Sequence, residues 1–415
     1  MTACHRPGGT GKQRRRHNIA DVGHPVDVEL SYPYPAAEFA DAVLTELRVR
    51  GYAAAGFDQP SFVVHLDDGR PLLVDRLFYE VQDLLADARA GHIAARLDAA
   101  LRPPPSSWTQ TQPLLRSVLR PTSFTAAVTA GDDRPWIRPL WPFVHELAVL
   151  DTGAARAVVT RADTALWGVT GEQMFAVARG NIAARYPPQP QQQRVGHLRG
   201  DGHSYCDSAV LVPGWLSSFA ADSGESRPLV FFPGDEVLLV CTDDPDVAPG
   251  FFAAAERIYR QAAVPISPQG YTIVGENIVG YDVAGVTALR ALRPLAVRAR
   301  SVLAEAEYLA QTGRLQRYFA EQGVDTAVGA VQLIETPRGS CTMTVWTRGA
   351  PHLLPVADYV TLMPDRLTVP FPVLADVLGL VPDRDLLPRR YPAVAWPSAE
   401  ELAVLQAHAV ALPGI

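Results

Sequence analysis

The densest group of side chains able to hold a metal lies at His197, His203, Cys206 and Asp207. Imidazole, thiolate and carboxylate are donors that zinc takes. This spacing, His-x5-His-x2-Cys-Asp, matches no zinc motif, and a closed site needs ligands fixed from behind. The segment borders a glutamine-rich loop, and a polar loop with a partly buried Cys206 accounts for it better. Asp151-Thr152-Gly153 follows an apolar run and precedes Ala-Ala, as in the catalytic loop of a pepsin-type or retroviral-type protease. That chemistry needs two carboxylates sharing one proton, from two such loops or from a dimer. Asp and Gly at a hairpin turn, however, require only turn geometry. Ser123, Ser208 and Ser340 lack the Gly-x-Ser-x-Gly elbow of a hydrolase. Asp243, Asp244 and Asp246 follow an apolar run and could meet a hard cation, but Pro245 between them reads as an acidic turn. The aromatics Trp136, Trp141, Phe143 and Trp167 could line a groove, although core packing is their default.

Bulk properties narrow the classes further. The chain has 415 residues, enough for two or three compact units. A net charge of −7 gives no general pull toward nucleic acid, and Lys12 is the only lysine. Four dispersed cysteines without a CxxC pair suit a reducing compartment rather than a disulfide scaffold. No apolar run is long enough to span a membrane. The N-terminal segment lacks the apolar core of a secretory signal, so a cytoplasmic location is expected. Residues 1–28 are polar and basic and read as a disordered tail. GGTGKQ within it fails as a phosphate loop, because Arg6 stands where the first glycine belongs and no strand precedes it.

The elements that must position these residues can be read from periodicity. Phe39, Val43 and Leu47 fall on one helical face, which Gly51 ends. SFVVHL and PLLV flank Asp68-Gly69 and predict a hairpin. A helix follows from about residue 76 to 101, with Asp75 as a possible cap and Leu77, Val81 and Leu84 facing inward. PPPSS then marks a linker over 103–135. In the central unit, 136–284, a hairpin closes at Asp151 and Thr170-to-Gln173 forms a capping box. VLLVC in the same unit reads as a strand buried on both faces. The C-terminal unit, 285–415, opens with an Arg-rich helix over 288–321 and continues as strands. LAVLDTGAARAVVTRAD at 147–163 is echoed by MTVWTRGAPHLLPVAD at 343–358. Thr-Arg-Gly replaces Asp-Thr-Gly there, and both read as strand, Gly-Ala turn, strand and then helix.

RPTSF, TGEQMFAVARGNIA and SYCDSAVL carry a resemblance. Over roughly 36–283 the chain resembles the YtpQ-like family of uncharacterised bacterial proteins. Arg120, Thr122, Ser123 and Phe124 match its Arg-x-Thr-Ser-Phe segment, and Leu150, Asp151 and Gly153 match Leu-Asp-x-Gly. Thr170, Glu172, Ala178 and Asn181 match a helix; Tyr205, Ser208 and Leu211 match Tyr-x-x-Ser-x-x-Leu; and Val264 to Ile266 match a Val-Pro-Ile strand. The chain departs from the pattern in HSYCDS, in its basic tail and in its C-terminal unit. The resemblance implies no catalytic residues, since the family has no established activity.

These readings converge on an α+β protein of small antiparallel sheets flanked by helices, in shape reminiscent of secretion chaperones. The expected function is a non-catalytic accessory protein that offers sheet edges and an apolar groove to a protein or peptide partner. In that reading Arg120, Ser123, Tyr205 and Ser208 contribute to binding, no cofactor or metal is required, and neither a membrane nor nucleic acid is the partner. The rival is an enzyme of unfamiliar type, a hydrolase or a metal-assisted one, using Arg120, Asp151, His203, Tyr205 and Asp207. Such an enzyme would gather several of these side chains in one cleft. A third reading is anion or nucleic-acid binding through the tail and the Arg-rich helix.

Overall fold

The pairing of Leu115–Pro121 with Val144–Asp151 is the seam around which the chain is arranged. The structure, a computed structural model, describes residues 30–412 other than 104, 129–133, 189–195, 201–202, 221–225, 286–289 and 338. The expected tail at 1–28 and most of the glutamine-rich loop lie outside the described residues. The fold is α+β: five small sheets are flanked by helices. No helix among the described residues is long and apolar enough to cross a membrane.

At the N-terminal end, Gly56–Asp58, Val63–His65 and Pro71–Leu73 form an antiparallel sheet. Gly69, at φ +82°, makes the expected Asp-Gly turn. Helix Ala36–Val49 buries Phe39, Val43 and Leu47 against this sheet, with Phe62 and Phe78 in the same cluster. The single helix expected over 76–101 is two, Asp75–Glu80 and Ala86–Ala100. The apolar spacing of Leu77, Val81 and Leu84 continues across the interruption, which is why periodicity alone does not reveal it.

The stretch expected as a linker, 103–135, is only partly one. Leu115–Pro121 is a strand buried at all but one position, and it pairs along its length with Val144–Asp151. Its Leu, Val and Leu carry the core of this sheet; the prolines at 103 and 105 punctuate only the segment before it. Ile137–Trp141 and Arg156–Val158 pair with Val144–Asp151 at different positions along it. Helix Gly171–Arg185 packs on this sheet. It begins in the predicted capping box, in which Thr170 and Gln173 bond each other's backbone N–H. Asn181 ties it down by donating to the carbonyls of Gln112 and Leu115.

The five-stranded sheet runs Asn277–Gly280, Pro265–Val274, Pro228–Gly234, Val237–Thr242, Gly196–Arg199. Alternation sends Val230, Phe232, Leu238 and Val240 to one core and Leu229, Phe231, Leu239 and Cys241 to another. That is the strand buried on both faces that VLLVC predicts. Helix Ala248–Gln261 covers the second face. Ala296 and Ala299 of the long helix Arg293–Gln322 join it there, while Val302 and Leu303 enter the first core. The long helix therefore bridges the central sheets and the C-terminal strands.

The C-terminal strands form a four-stranded and a three-stranded sheet, each with one parallel pair. The internal echo does not survive. Val144–Asp151 and Arg156–Val158 form a hairpin followed by helix Arg161–Trp167. Gly339–Thr347 and His352–Pro355 belong to different sheets, and a strand, Tyr359–Met363, follows them. Pro351 and Pro355 bracket the second strand of the echo, whereas its counterpart contains no proline. Buried Arg390 anchors this region by donating to Gln311, Thr312 and the carbonyls of Gly329, Leu353 and Tyr308.

Candidate functional site

Motif residues from distant parts of the chain meet in a buried ionic network between the N-terminal helices and the central sheets. Arg76, next to the start of helix Asp75–Glu80, grips Asp151 with two parallel bonds of 2.7 and 2.8 Å. Tyr205 donates to the same carboxylate at 2.7 Å and accepts from Arg76 at 3.2 Å. Arg120, on Leu115–Pro121, donates to Asp75 at 2.8 Å and to Asp235 at 2.9 Å. Arg156 is the third guanidinium. It stands 3.1 Å from Asp75 and 3.6 Å from Asp235 without the alignment of a hydrogen bond, and lies over the Tyr205 ring. The period-2 alternation of Arg156–Val158 is what turns Arg156 inward while Ala157 stays exposed.

Beside this lies a second acidic group. Tyr205 and Glu236 both adopt left-handed backbone, at φ +57° and +61°, an uncommon conformation for such side chains. Both oxygens of Glu236 accept from the Tyr205 N–H at 3.0 Å, and Ser204 donates to the same carboxylate. Gly200 packs against them so closely that a Cβ there would collide with Glu236 and Ser204. Cys206, Asp207 and Glu236 bring one possible ligand atom each within 4.8 Å of one another.

Burial decides the charge states. It pushes Asp207 up to about 8, helped by the neighbouring charges of Asp235 and Glu236. Glu236 is raised for the same first reason, then by Asp235, and burial lifts the Cys206 thiol well above its usual range. Burial also works against Asp151, but the bonds and charge of Arg76, with Tyr205 and the Gly153 N–H, outweigh it and hold that carboxyl well below the ordinary range. Asp75 is similarly penalised by burial and held down by Arg156 and Arg120. The network is thus one of neutralised charges: arginines against ionised aspartates, with neutral acids alongside. Burial and the neighbouring carboxylates push Cys206, Asp207 and Glu236 toward their protonated forms.

Of the five residues of the rival enzyme set, Arg120, Asp151, Tyr205 and Asp207 join this region, but in the interior rather than in a cleft. His203 sits apart, half-exposed, 3.3 Å from Glu80, which also holds Arg96 and His92. His197 lies on Gly196–Arg199, opposite Leu239, so neither histidine joins Cys206 and Asp207. Asp151 shares no proton with a second carboxylate, because Arg76 occupies that face; a further Asp-Ser-Gly triplet, at 222–224, lies outside the described residues. Ser123 bonds Glu307 of the long helix through its N–H and its hydroxyl. Ser208 is buried, 3.4 Å from Asp207. Asp243 accepts from the Arg227 N–H and from Tyr281, as a turn-capping acid does. On the Arg-rich helix, Arg298 pairs with Glu256 and Glu335 and Arg300 pairs with Asp282 and Asp358.

Sequence reasoning gave Asp75 a capping role that it does not take, since Val74 holds the cap position and Asp75 lies in the first turn, and it missed Arg76, Arg156, Asp235 and Glu236. The available signal was Arg156 itself, in step with Val158 on the buried side of a strand.

Against the network lies a groove of about 1050 Å³. Leu66 and Leu72 in and beside the N-terminal sheet, Ala100 at the end of helix Ala86–Ala100, Pro103 after it, and Ala157 and Val158 of the central sheet are among the residues that line it. Pro71–Leu73 and Arg156–Val158 both border it and lie against each other, each hydrogen-bonded as a strand to one neighbour among the described residues.

Fold and site together define an α+β protein in which neutralised buried charges adjoin an open groove. Comparison with known proteins adds no relative: no family model, no curated protein and no solved structure matches the chain.

Proposed function

We propose that the chain is a non-catalytic accessory protein that binds an extended segment of a partner protein in the groove beside Arg156–Val158. The observation that carries this reading is one open groove along which two short strands from distant parts of the chain lie together. Side chains of an extended segment can lie along its apolar lining, among them Leu66, Leu72 and Val158. The titratable groups of the motifs are engaged with one another and present no nucleophile, base and oxyanion donor to a common cavity, which supports binding over catalysis. Arg120, Asp151 and Tyr205 come from three different motifs of the YtpQ-like resemblance, and their meeting supports that kinship as part of the same proposal.

The test is selection of extended peptides of about ten residues on the full-length protein, followed by affinity measurement with Ala157→Arg. Ala157 is exposed on the bordering strand, so arginine there fills the groove without burying a charge. Binding weakened tenfold or more with unchanged melting temperature supports the proposal. Failure to select any peptide, or affinity indifferent to Ala157→Arg, contradicts it.

A second reading, metal-assisted chemistry, rests on the closeness of Cys206, Asp207 and Glu236. Stoichiometric metal in protein purified without chelator, lost in Asp207→Asn, would favour it.

A further inference from the structure

A second cavity, of about 470 Å³, lies between the central sheets, the long helix Arg293–Gln322 and the C-terminal segments around Ala357 and Pro388. It is lined by residues other than those of the groove. Its volume and mainly apolar wall are those of a small-molecule pocket at the meeting of structural units. Trp141, Phe143, Tyr271 and Tyr308 supply the aromatic walls. Trp141 packs 4.8 Å from Tyr271, and Phe143 meets Tyr308 edge-on at 5.6 Å. The tyrosine hydroxyls are already engaged. Tyr271 bonds Ser267 and Gln269, and Tyr308 donates to the Arg389 carbonyl while accepting from the Val356 N–H. These rings therefore offer the cavity apolar surface.

Two features at the Pro142-Phe143 turn go beyond packing. Phe143 has φ +63°, in a turn position that ordinarily selects glycine or asparagine. A bulky ring held there against Tyr308 closes one side of the cavity at the expense of backbone comfort. The second feature is His145, which lines the same cavity and is 4% exposed. The Thr125 hydroxyl donates its one hydrogen to the Thr122 carbonyl at 2.8 Å. At 3.2 Å from His145 Nδ1 it must therefore accept, which places the imidazole proton on Nδ1. Nε2 is left as an acceptor, and among the described residues nothing donates to it. An acceptor open to the cavity can take a donor, and the aromatic walls suit a ring.

We propose that this cavity binds a small planar aromatic molecule of one or two rings whose single hydroxyl or N–H group donates to Nε2 of His145. Two fluorescent probes differing only in the donor test it on the full-length protein: 2-naphthol and 2-methoxynaphthalene, with binding read from probe anisotropy. The expected result is saturable binding of 2-naphthol at least tenfold tighter than that of its methyl ether. His145→Phe should abolish the preference. Phe143→Gly, in which glycine suits the φ angle, should weaken both probes while the protein stays folded. Ala157→Arg, in the peptide groove, should change neither, so the two sites succeed or fail separately. Absence of saturable binding by 2-naphthol, or equal affinity for both probes, would overturn the proposal. That comparison needs only the natural chain, and so survives a variant that fails to fold.

Discussion

Asp151 changes meaning when its partners are known. Read alone, an acid before Thr-Gly at a strand end suggests chemistry; in place, it is an anchor for Arg76 and Tyr205. Its side chain is 10% exposed and that of Arg76 4%, so removing the charge of one strands the other away from water. Breaking a buried pair in this way costs about 3–5 kcal/mol, and Asp151→Asn is expected to lose about that much in urea unfolding. An unchanged midpoint would mean that the pair is not structural. The turn at Asp151 was legible because Asp and Gly act locally, through the Gly153 N–H donating to the carboxylate. Arg76 was not, because it is brought in from 75 residues away by packing that no local pattern records.

At the scale of elements, what short-range chemistry fixes was readable. The capping box at Thr170, the Asp68-Gly69 turn, the buried faces of the first helix and the strand Val237–Thr242 all follow from neighbours within a turn or a pleat. What failed needed partners far along the chain. Leu115–Pro121 sat beyond a run of prolines and looked like a connector, yet its partner lies beyond Trp141. The two echoed segments share local character but not pairing, because the sheets that receive them differ. The groove inherits this limit: its two bordering strands belong to units about 80 residues apart, as Pro71–Leu73 and Arg156–Val158 show.

For the whole molecule, the ionic network and Ser123–Glu307 join the N-terminal, central and C-terminal parts through buried acids, so stability should report on their titration. Burial raises Asp207 to about 8 and Glu307 to about 7. A carboxyl with a raised folded pKa binds its proton more tightly when folded. Its stabilising share is complete below the ordinary carboxyl range and is lost as pH rises through the folded value. His145, lowered to about 4 by burial, acts the other way: its share is complete above 6.5 and is lost as pH falls toward 4. Between about pH 7.5 and 8 His145 is neutral in both states and the carboxyls dominate. Stability should fall with rising pH there, by at most about 1.4 kcal/mol per unit for each group. Asp207→Asn should flatten the slope, as read from urea midpoints at several pH values; a slope identical to that of the natural chain would remove Asp207 from the account.

The most direct measurement of the central claim is hydrogen–deuterium exchange of the full-length protein with and without a saturating selected peptide. Peptide bound in the groove predicts new protection confined to the segments around Pro71–Leu73 and Arg156–Val158, absent in Ala157→Arg. Protection that appears elsewhere, or leaves those two strands unchanged, would contradict it.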